Sequence, residues 1–422
     1  MDNPLSEQDS GRGSAVVIGA GIIGIATGLY LQRDGWQVTV IDTKGPGEGT
    51  SRGNAGLFAT GHVIPDAMPD LPAKVPGMLF KRESPLSIRW RYLPRLIPWL
   101  AKCVSACTME RATHSTQALA GLLGDAMVSY EPLFQGAGAS GLIRRKGVLY
   151  VYKTAKSFAA AGLEFRLKRE HGIPMEILDA SGIRELLPAL APIHNHGVFY
   201  PDYAHTVDPF VLAQTLGSRL AQGGALFVKD EATGFSFEGD RVSAVRTAGS
   251  SHKAHIVVVA AGAYSRPLAA ALGSRVPLDT ERGYHVTFAD PGIDLDVPVL
   301  SVDGHFLITP MTLGLRSAGL VEFAGLEAPA NPALHARLMR QTQQMLPGLN
   351  TGNPSNWMGY RPAMPDSLPV ISRTPRHRNA FLAFGHGHIG LSTAAATGHA
   401  IADLAADRLP QFDLVPFRAD RF

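Results

Sequence analysis

From Ser14 to Asp42 the chain reads SAVVIGAGIIGIATGLYLQRDGWQVTVID, and its apolar positions pass from a continuous run to a helical period and back. Ala15–Ile18 predicts a short buried strand, Ile25–Arg33 a helix closed by Asp34-Gly35, and Gln37–Ile41 a second strand ending at Asp42. Helical patterns cover about 115–135 and 155–170, and GVLYVYK predicts a strand. Asp208-Pro209 is an N-cap and first-turn pair for a helix over Phe210–Gln222, which Gly223-Gly224 ends. ALFVKDEATGFSFEGDRVSAVRTA predicts strands, and AHIVVVAAGAYS a buried strand running into Ala261-Gly262. GYHVTFA, PVLSVDGHFLITP and LGLRSAGLVEFAG are β-rich, and a helix follows over about 332–346. Finally AFLAF leads through FGHGHIGLSTAAATG into an alanine-rich helix.

Gly19-Ala20-Gly21-Ile22-Ile23-Gly24 joins the first strand to the first helix and is a GxGxxG turn. Gly19 makes the turn, Gly21 lets the backbone approach a pyrophosphate, and Gly24 seats the helix on the strand. Phosphates then lie on the helix N-terminus, where free N–H groups and the dipole favour anions. Asp42, 18 positions beyond Gly24, can accept hydrogen bonds from a ribose diol. This motif does not separate NAD from FAD. A plain nucleotide-binding fold would continue with another βα unit, but here comes the loop PGEGTSRGNAG, Pro46–Gly56, of a composition that serves a ligand. The strand with AxG at 256–262 and the strand–GHG–helix at 380–406 are nucleotide-domain parts returning after insertions. A discontinuous nucleotide domain interrupted by a second lobe is therefore expected.

At 422 residues, 45% apolar and 18% charged, the chain suits a soluble globular enzyme of more than one lobe. A net charge of +3 without a Lys/Arg block gives no footprint for nucleic acid. Cys103 and Cys107 lack redox or zinc spacing and predict two reduced, core-filling thiols. The polar start predicts a flexible leader over 1–13 with no signal peptide, and Val16–Leu31 is too short and glycine-punctuated for a membrane span. A cytoplasmic enzyme follows. One segment, 86–107, sets Arg89, Arg91, Arg95 and Lys102 among Trp and Leu. It predicts either a helix pair over a pocket or a peripheral contact with the inner face of an anionic membrane.

GAGIIG with Asp42, TSRGNAG, VVVAAGAYS, ERGYHV, GYRPAMPDSLPVIS and GHGHIGL resemble, in this order, the FAD-dependent D-amino acid dehydrogenase/oxidase (DAO) superfamily. LDTERGYHV, VEFAGL and WMGYRPAMPDSLPVISR look most like its bacterial branch containing glyphosate oxidoreductase and D-hydroxyproline dehydrogenases. The resemblance implies an α/β + β fold: a discontinuous Rossmann-like FAD-binding domain of the glutathione-reductase-2 type, with an inserted α+β substrate-binding domain on a mostly antiparallel sheet. The expected limits are 14–80, 196–265 and 355–422 for the first, and 81–195 and 266–354 for the second. It also implies FAD held by Gly19, Gly21, Ile22, Ile23, Gly24, Asp42 and Thr43. Thr50, Ser51, Asn54, Ala55 and Gly56 would line the pyrophosphate, ribityl and ring region. Ala232 would meet the adenine, and Ala260, Ala261 and Gly262 the ADP moiety. Gly385, His386, Gly387, His388, Ile389, Gly390 and Leu391 would lie against the flavin ring. The cysteines are far from any attachment position, and the loop reads Gly53-Asn54-Ala55, so non-covalent FAD is expected.

For the substrate, the resemblance makes Arg361 in GYRPAMPD the carboxylate clamp, a role its planar fork suits; a structural salt bridge is the alternative. Tyr284 and His285 are candidates for closing the pocket or for satisfied core positions, and His62 for the pocket or an exposed loop. The implied reaction is oxidative deamination of a D-amino acid or related secondary amino acid, by hydride transfer to flavin N5 and hydrolysis of the imine to an oxo acid. No strong acid is needed if the amine enters neutral, and a quinone or O2 reoxidises the flavin. Sarcosine-, glycine- or glyphosate-oxidase-like C–N oxidation, or a non-catalytic dinucleotide module, are the alternatives. No metal is expected, because the loop pair His386 and His388 lacks further ligands nearby. His386 is expected to face the substrate and His388 to act mainly through its backbone.

Overall fold

The computed structural model describes residues 12–80, 84 and 86–422, so most of the expected 1–13 leader lies outside the described residues. Six strands form one sheet in the order Leu226–Lys229, Gln37–Asp42, Ser14–Ile18, Ile256–Val259, Ala380–Phe384, Val370–Arg373. All pairings are parallel except the last. Its central strands are near-continuous apolar runs because helices cover one face and the three-stranded meander Ala232–Glu238, Arg241–Thr247, Ser251–Lys253 covers the other. The strands come from three separate stretches of sequence, and the expected discontinuous nucleotide domain is observed.

A second, mostly antiparallel sheet has the order Ser355–Ala363, Asp279–Phe288, Gly314–Phe323, Phe306–Met311, Val299–Ser301, Val148–Tyr152, His196–Tyr200, Glu176–Asp179. Its core is closed by the helices Ala180–Leu186 and Pro332–Met345. Two expected limits cut through this sheet. His196–Tyr200 pairs with Val148–Tyr152, and Ser355–Ala363 pairs along the whole of Asp279–Thr287, so both strands lie with the inserted lobe.

The opposite shift occurs at 109–137. The pattern over 115–135 is two helices, Met109–Gly124 and Ala126–Ala137, broken at Asp125. Their apolar faces, including Leu119, Leu122, Leu133 and Phe134, enter the core of the nucleotide lobe although the expectation put them with the second domain. The pattern over 155–170 likewise splits, into Ala155–Ala160 and Gly162–Glu170. Asp208 caps the helix Pro209–Gln222 as expected, accepting from the Phe210 and Val211 amides. Cys103 and Cys107 are free thiols on the helix Leu93–Ala106 and at its end.

The final helix, Gly390–Ala405, packs against the first, Ile22–Arg33, so closely that a Cβ on Gly398 would fall 2.7 Å from the Ala26 carbonyl carbon. Gly398→Ala is expected to destabilise the fold by about 1–3 kcal/mol, since backbone must move. Gly136, exposed in its helix with open space around it, should behave oppositely, Gly136→Ala adding about 0.5–1 kcal/mol. Denaturant unfolding of the two variants checks both signs.

Candidate active site

At the end of the first strand Gly19 takes φ +112°, and its carbonyl oxygen lies 1.9 Å from where a Cβ on Gly24 would stand. A Cβ on Gly19 would stand 2.4 Å from the Ala260 oxygen, so only glycine permits this turn. Gly21, Ile22 and Ile23 open onto a cavity of about 1750 Å3. Ser51 closes over the helix start, its hydroxyl accepting from the Ile22 amide at 2.9 Å. Asp42 accepts from the Ala20 amide at 2.7 Å and the Lys44 amide at 2.8 Å, which fixes its carboxylate at the cavity wall with lone pairs to spare. Thr43, Ala232, Ala260, Ala261 and Gly262 line the same cavity.

The loop after Asp42 folds on itself and is clamped by the inserted lobe. Asn54 donates to the Ser51 carbonyl and accepts from the Gly56 amide, folding the loop on itself. Thr50 donates to the Tyr360 carbonyl, Thr309 to the Ala55 carbonyl and Arg316 to the Asn54 carbonyl. His285 holds the Gly53 carbonyl at 2.8 Å through Nδ1, and its ring stacks on Trp357 at 5.1 Å. A side chain on Gly53 would enter that Trp357 ring. Across the cavity Gly390 and Leu391 open the last helix with Ile389 as its N-cap, and all three line the cavity, so the positive end of the helix lies at its wall. Tyr130 fixes that start by donating to the Leu391 carbonyl at 2.7 Å.

The far end carries the titratable groups. Arg361 is half-buried and directly opposite Glu281 in the strand register. It lies over Gly283, where a Cβ would fall 2.4 Å from its guanidinium carbon. One of its nitrogens donates to the Leu320 carbonyl at 3.1 Å. Leu320 has φ +58°, a strained backbone worth about 1–3 kcal/mol, and the strain aims that carbonyl at the guanidinium. Burial lowers the Arg361 pKa, opposed by the charges of Glu281 and Asp66. His388 stands between Asp66 Oδ2, 3.4 Å from its Nδ1, and Glu281 Oε2, 3.6 Å from its Nε2. His62 lines the cavity beside them, its pKa lowered chiefly by burial.

These positions correct several expectations. His386 reaches the wall of the cavity, but its ring is committed elsewhere: it is buried with Nε2 3.0 Å from Thr397 Oγ1, and burial pushes its pKa down to about 3. His388 is the one whose ring reaches the charged groups, because Gly385 and Gly387 both have positive φ and turn the intervening side chain inward. Gly385 itself packs under Met364. Tyr284 lacks a free hydroxyl; it donates to Glu322 at 2.5 Å and accepts from the Asn331 amide. His285 serves the cofactor loop, with burial lowering its pKa to about 3. Asp66 and Glu281 were not among the expected site residues. Glu281 had a signal, since it begins ERGYHV; Asp66 sits in a loop without a motif.

A two-lobed nucleotide-binding oxidoreductase is what this fold and cavity define. The glycine turn, an acid at the end of the second strand and a long slot ending at a helix N-terminus are parts that FAD fits. The chain belongs to the FAD dependent oxidoreductase (DAO) family, whose signature matches residues 14–404. It is 37% identical over 413 residues to a D-amino-acid oxidase of Bradyrhizobium diazoefficiens, covering 96% of this chain and 98% of that protein. It is 32% identical over 427 residues to a D-amino acid dehydrogenase of Sinorhizobium medicae, covering 96% and 99%. Glycine oxidase from Geobacillus kaustophilus has the same fold, with a TM-score of 0.73 at 21% identity over 97% of this chain and 98% of that one.

Gly24→Ala is expected to leave a folded protein with little bound flavin, because the added methyl strikes the Gly19 carbonyl and tilts the phosphate-binding helix. Flavin absorbance per polypeptide measures this.

Proposed function

We propose that this flavoenzyme oxidises D-amino acids to imines, which hydrolyse to oxo acids and ammonia. Arg361 carries the reading. It is a guanidinium that, among the described residues, makes one hydrogen bond, to Leu320, which leaves donors for a ligand, and it is set at the end of the cavity that the cofactor loop and the last helix enclose. Such a fork takes a carboxylate by paired, charge-assisted hydrogen bonds and so fixes the α-carbon. When bound, FAD supplies a two-electron hydride acceptor. Gly283 leaves the room in which the Arg361 side chain lies, and His285 with Trp357 holds the loop that faces the cofactor ring. The positive end of the last helix favours negative charge on the ring edge beside it. The assignment of the cofactor residues rests on their lining one continuous cavity, except for Gly24, which packs on the Gly19 carbonyl, and Gly385, which packs under Met364.

We infer dissociable FAD as well. The loop Thr50–Gly56 contains neither histidine nor cysteine, and burial pushes the Cys103 thiol up to about 12, away from the thiolate that attachment needs. The resemblance to the glyphosate oxidoreductase and D-hydroxyproline dehydrogenase branch extends the substrate range to secondary amino acids. A cytoplasmic enzyme touching the inner membrane face is the companion reading. Ile97 is exposed on the helix Leu93–Ala106 with Arg91, Arg95 and Lys102 exposed around it, while Trp90 and Val104, seven residues to either side, are exposed and also line the cavity. Among the described residues no helix is long and apolar enough to cross a membrane, so contact would be peripheral. A quinone would then be met at the lipid surface, with O2 the alternative acceptor.

Anaerobic bleaching by a panel of D-, L- and N-alkyl amino acids tests the reaction; no bleaching by any D-amino or secondary amino acid refutes it. Arg361→Ala should keep its flavin and lose about 100-fold or more in kcat/KM, mostly through KM. Vesicles rich in anionic lipid should retain the protein in low salt and release it in high salt, and Ile97→Asp should prevent retention. Equal recovery with neutral and anionic vesicles would remove the membrane contact.

A further inference from the structure

An α-amino acid arrives as a zwitterion, but hydride leaves a carbon far more readily when the neighbouring nitrogen is a neutral amine. One proton must therefore go from the ammonium to a group within reach. Among the described candidates, His386, His285 and Tyr284 are already committed to Thr397, Gly53 and Glu322. Arg361 is the carboxylate clamp. His62 and His305 also line the cavity, and burial makes both weaker bases, whereas His388, on the loop that leads into the last helix, has Asp66 and Glu281 on its two sides.

Resting on the deamination reading above, we propose that His388 takes the proton from the substrate ammonium, and that Asp66 and Glu281 position it and share the charge it gains. The N–H bond of the ammonium breaks, its electron pair stays on the substrate nitrogen, and the proton bonds to the imidazole nitrogen that was bare. His388 is the catalytic residue; Asp66 and Glu281 act through it. The geometry suits this. The Nδ1 and Nε2 separations of 3.4 and 3.6 Å leave the ring held but not saturated, and both His388 and Asp66 are open to the cavity. The opposing strand register places Glu281 beside Arg361, so the two ends of one amino acid can meet cation and base together.

The groups facing His388 from its surroundings are Asp66, Glu281, Arg361 and His62. Burial alone would lower the His388 pKa, but the charge and hydrogen bond of Asp66 outweigh it and raise the value above that of free histidine. Burial would raise Asp66, yet His388, His62 and Arg361 bring it down to about 2, so it is ionised at every working pH. Burial raises Glu281. A base acts above its pKa, so kcat/KM should rise with pH along an acid limb lying above that of free histidine.

The test uses the flavin-loaded full chain and the D-amino acid that the wild type turns over best. His388→Gln should lose about 100-fold in kcat/KM at neutral pH and lose the enzyme's own acid limb. Its rate should instead climb with the fraction of free amine in solution. Asp66→Asn removes the anion that stabilises the imidazolium, so its limb should move to lower pH. Both variants should keep their flavin content and their affinity for propionate, a carboxylate without an amine. An unmoved limb in both variants overturns the proposal while leaving the deamination reading intact, as does a loss of turnover matched by equal loss of propionate affinity. A wild type that turns over no amino acid overturns both.

Discussion

The two lobes meet where the edge strand Ser355–Ala363 runs alongside the loop that precedes the last helix. Ala363 forms an antiparallel bridge with His386, and the Gly387 amide donates to the Pro362 carbonyl at 2.9 Å. This short splice sets Arg361, two residues before the bridge, against His388, two residues after it. The strand belongs to the inserted lobe and the loop to the nucleotide lobe, so the substrate end is assembled from both. Every distance in the charged cluster depends on that contact. The clamps on the cofactor loop from Thr309, Arg316 and His285 add to it, because all three come from the inserted sheet.

A second constraint is a pair of opposite charges with no access to water. Glu322 and Arg282 are fully buried, 3.5 Å apart, with Arg89 and the Tyr284 hydroxyl completing the shell of Glu322. Taking ions from water costs several kcal/mol each, so such a set is weak as a source of stability. Its consequence here is positional. Arg282 also donates to the Gly325 and Pro329 carbonyls, and Arg89 to the latter, tying the 325–331 turn and the segment before the helix Leu93–Ala106 to the central strands. The alternation of the strand then decides the rest: Arg282 and Tyr284 go to this network, while Glu281 and Gly283 face the cavity with Arg361.

The nucleotide half was legible in the sequence because its determinants are local. A glycine turn, an apolar strand and an acid at the next strand's end lie within one contiguous stretch, Ser14–Asp42. The cut points of the lobes were not legible. His196–Tyr200 and Ser355–Ala363 read as strands either way, and which sheet accepts them is settled by partners far away in sequence. Helices 109–137 were misassigned for the same reason, since an amphipathic period says that a face is buried but not against what. Which histidine ring meets the charged groups was not legible because side-chain direction in a glycine loop follows backbone angles, here positive φ at both Gly385 and Gly387, and not an alternation that a sequence displays. Asp66 left no trace at all: a single carboxylate in a loop acquires its meaning only from the imidazole and guanidinium that folding brings to it.

The charge arrangement also bears on what the cavity end can hold. Arg361 supplies a fixed positive fork, and Asp66, kept ionised, supplies a fixed negative charge beyond the imidazole. Glu281, whose carboxyl burial favours in its neutral form, and His388 lie between them. A simple carboxylate would satisfy Arg361 and leave the carboxylate side unpaired, whereas a simple amine would do the reverse. A second carboxylate close to the first would meet Asp66 at short range, at a cost that the low dielectric of the cavity magnifies. A molecule with a carboxylate and an amine on one carbon matches both ends without bringing in surplus charge, as the proposed reaction requires. The apolar residues that make up most of the cavity wall then meet whatever side chain that carbon carries, which fits a site selective for the α-amino acid head and permissive beyond it.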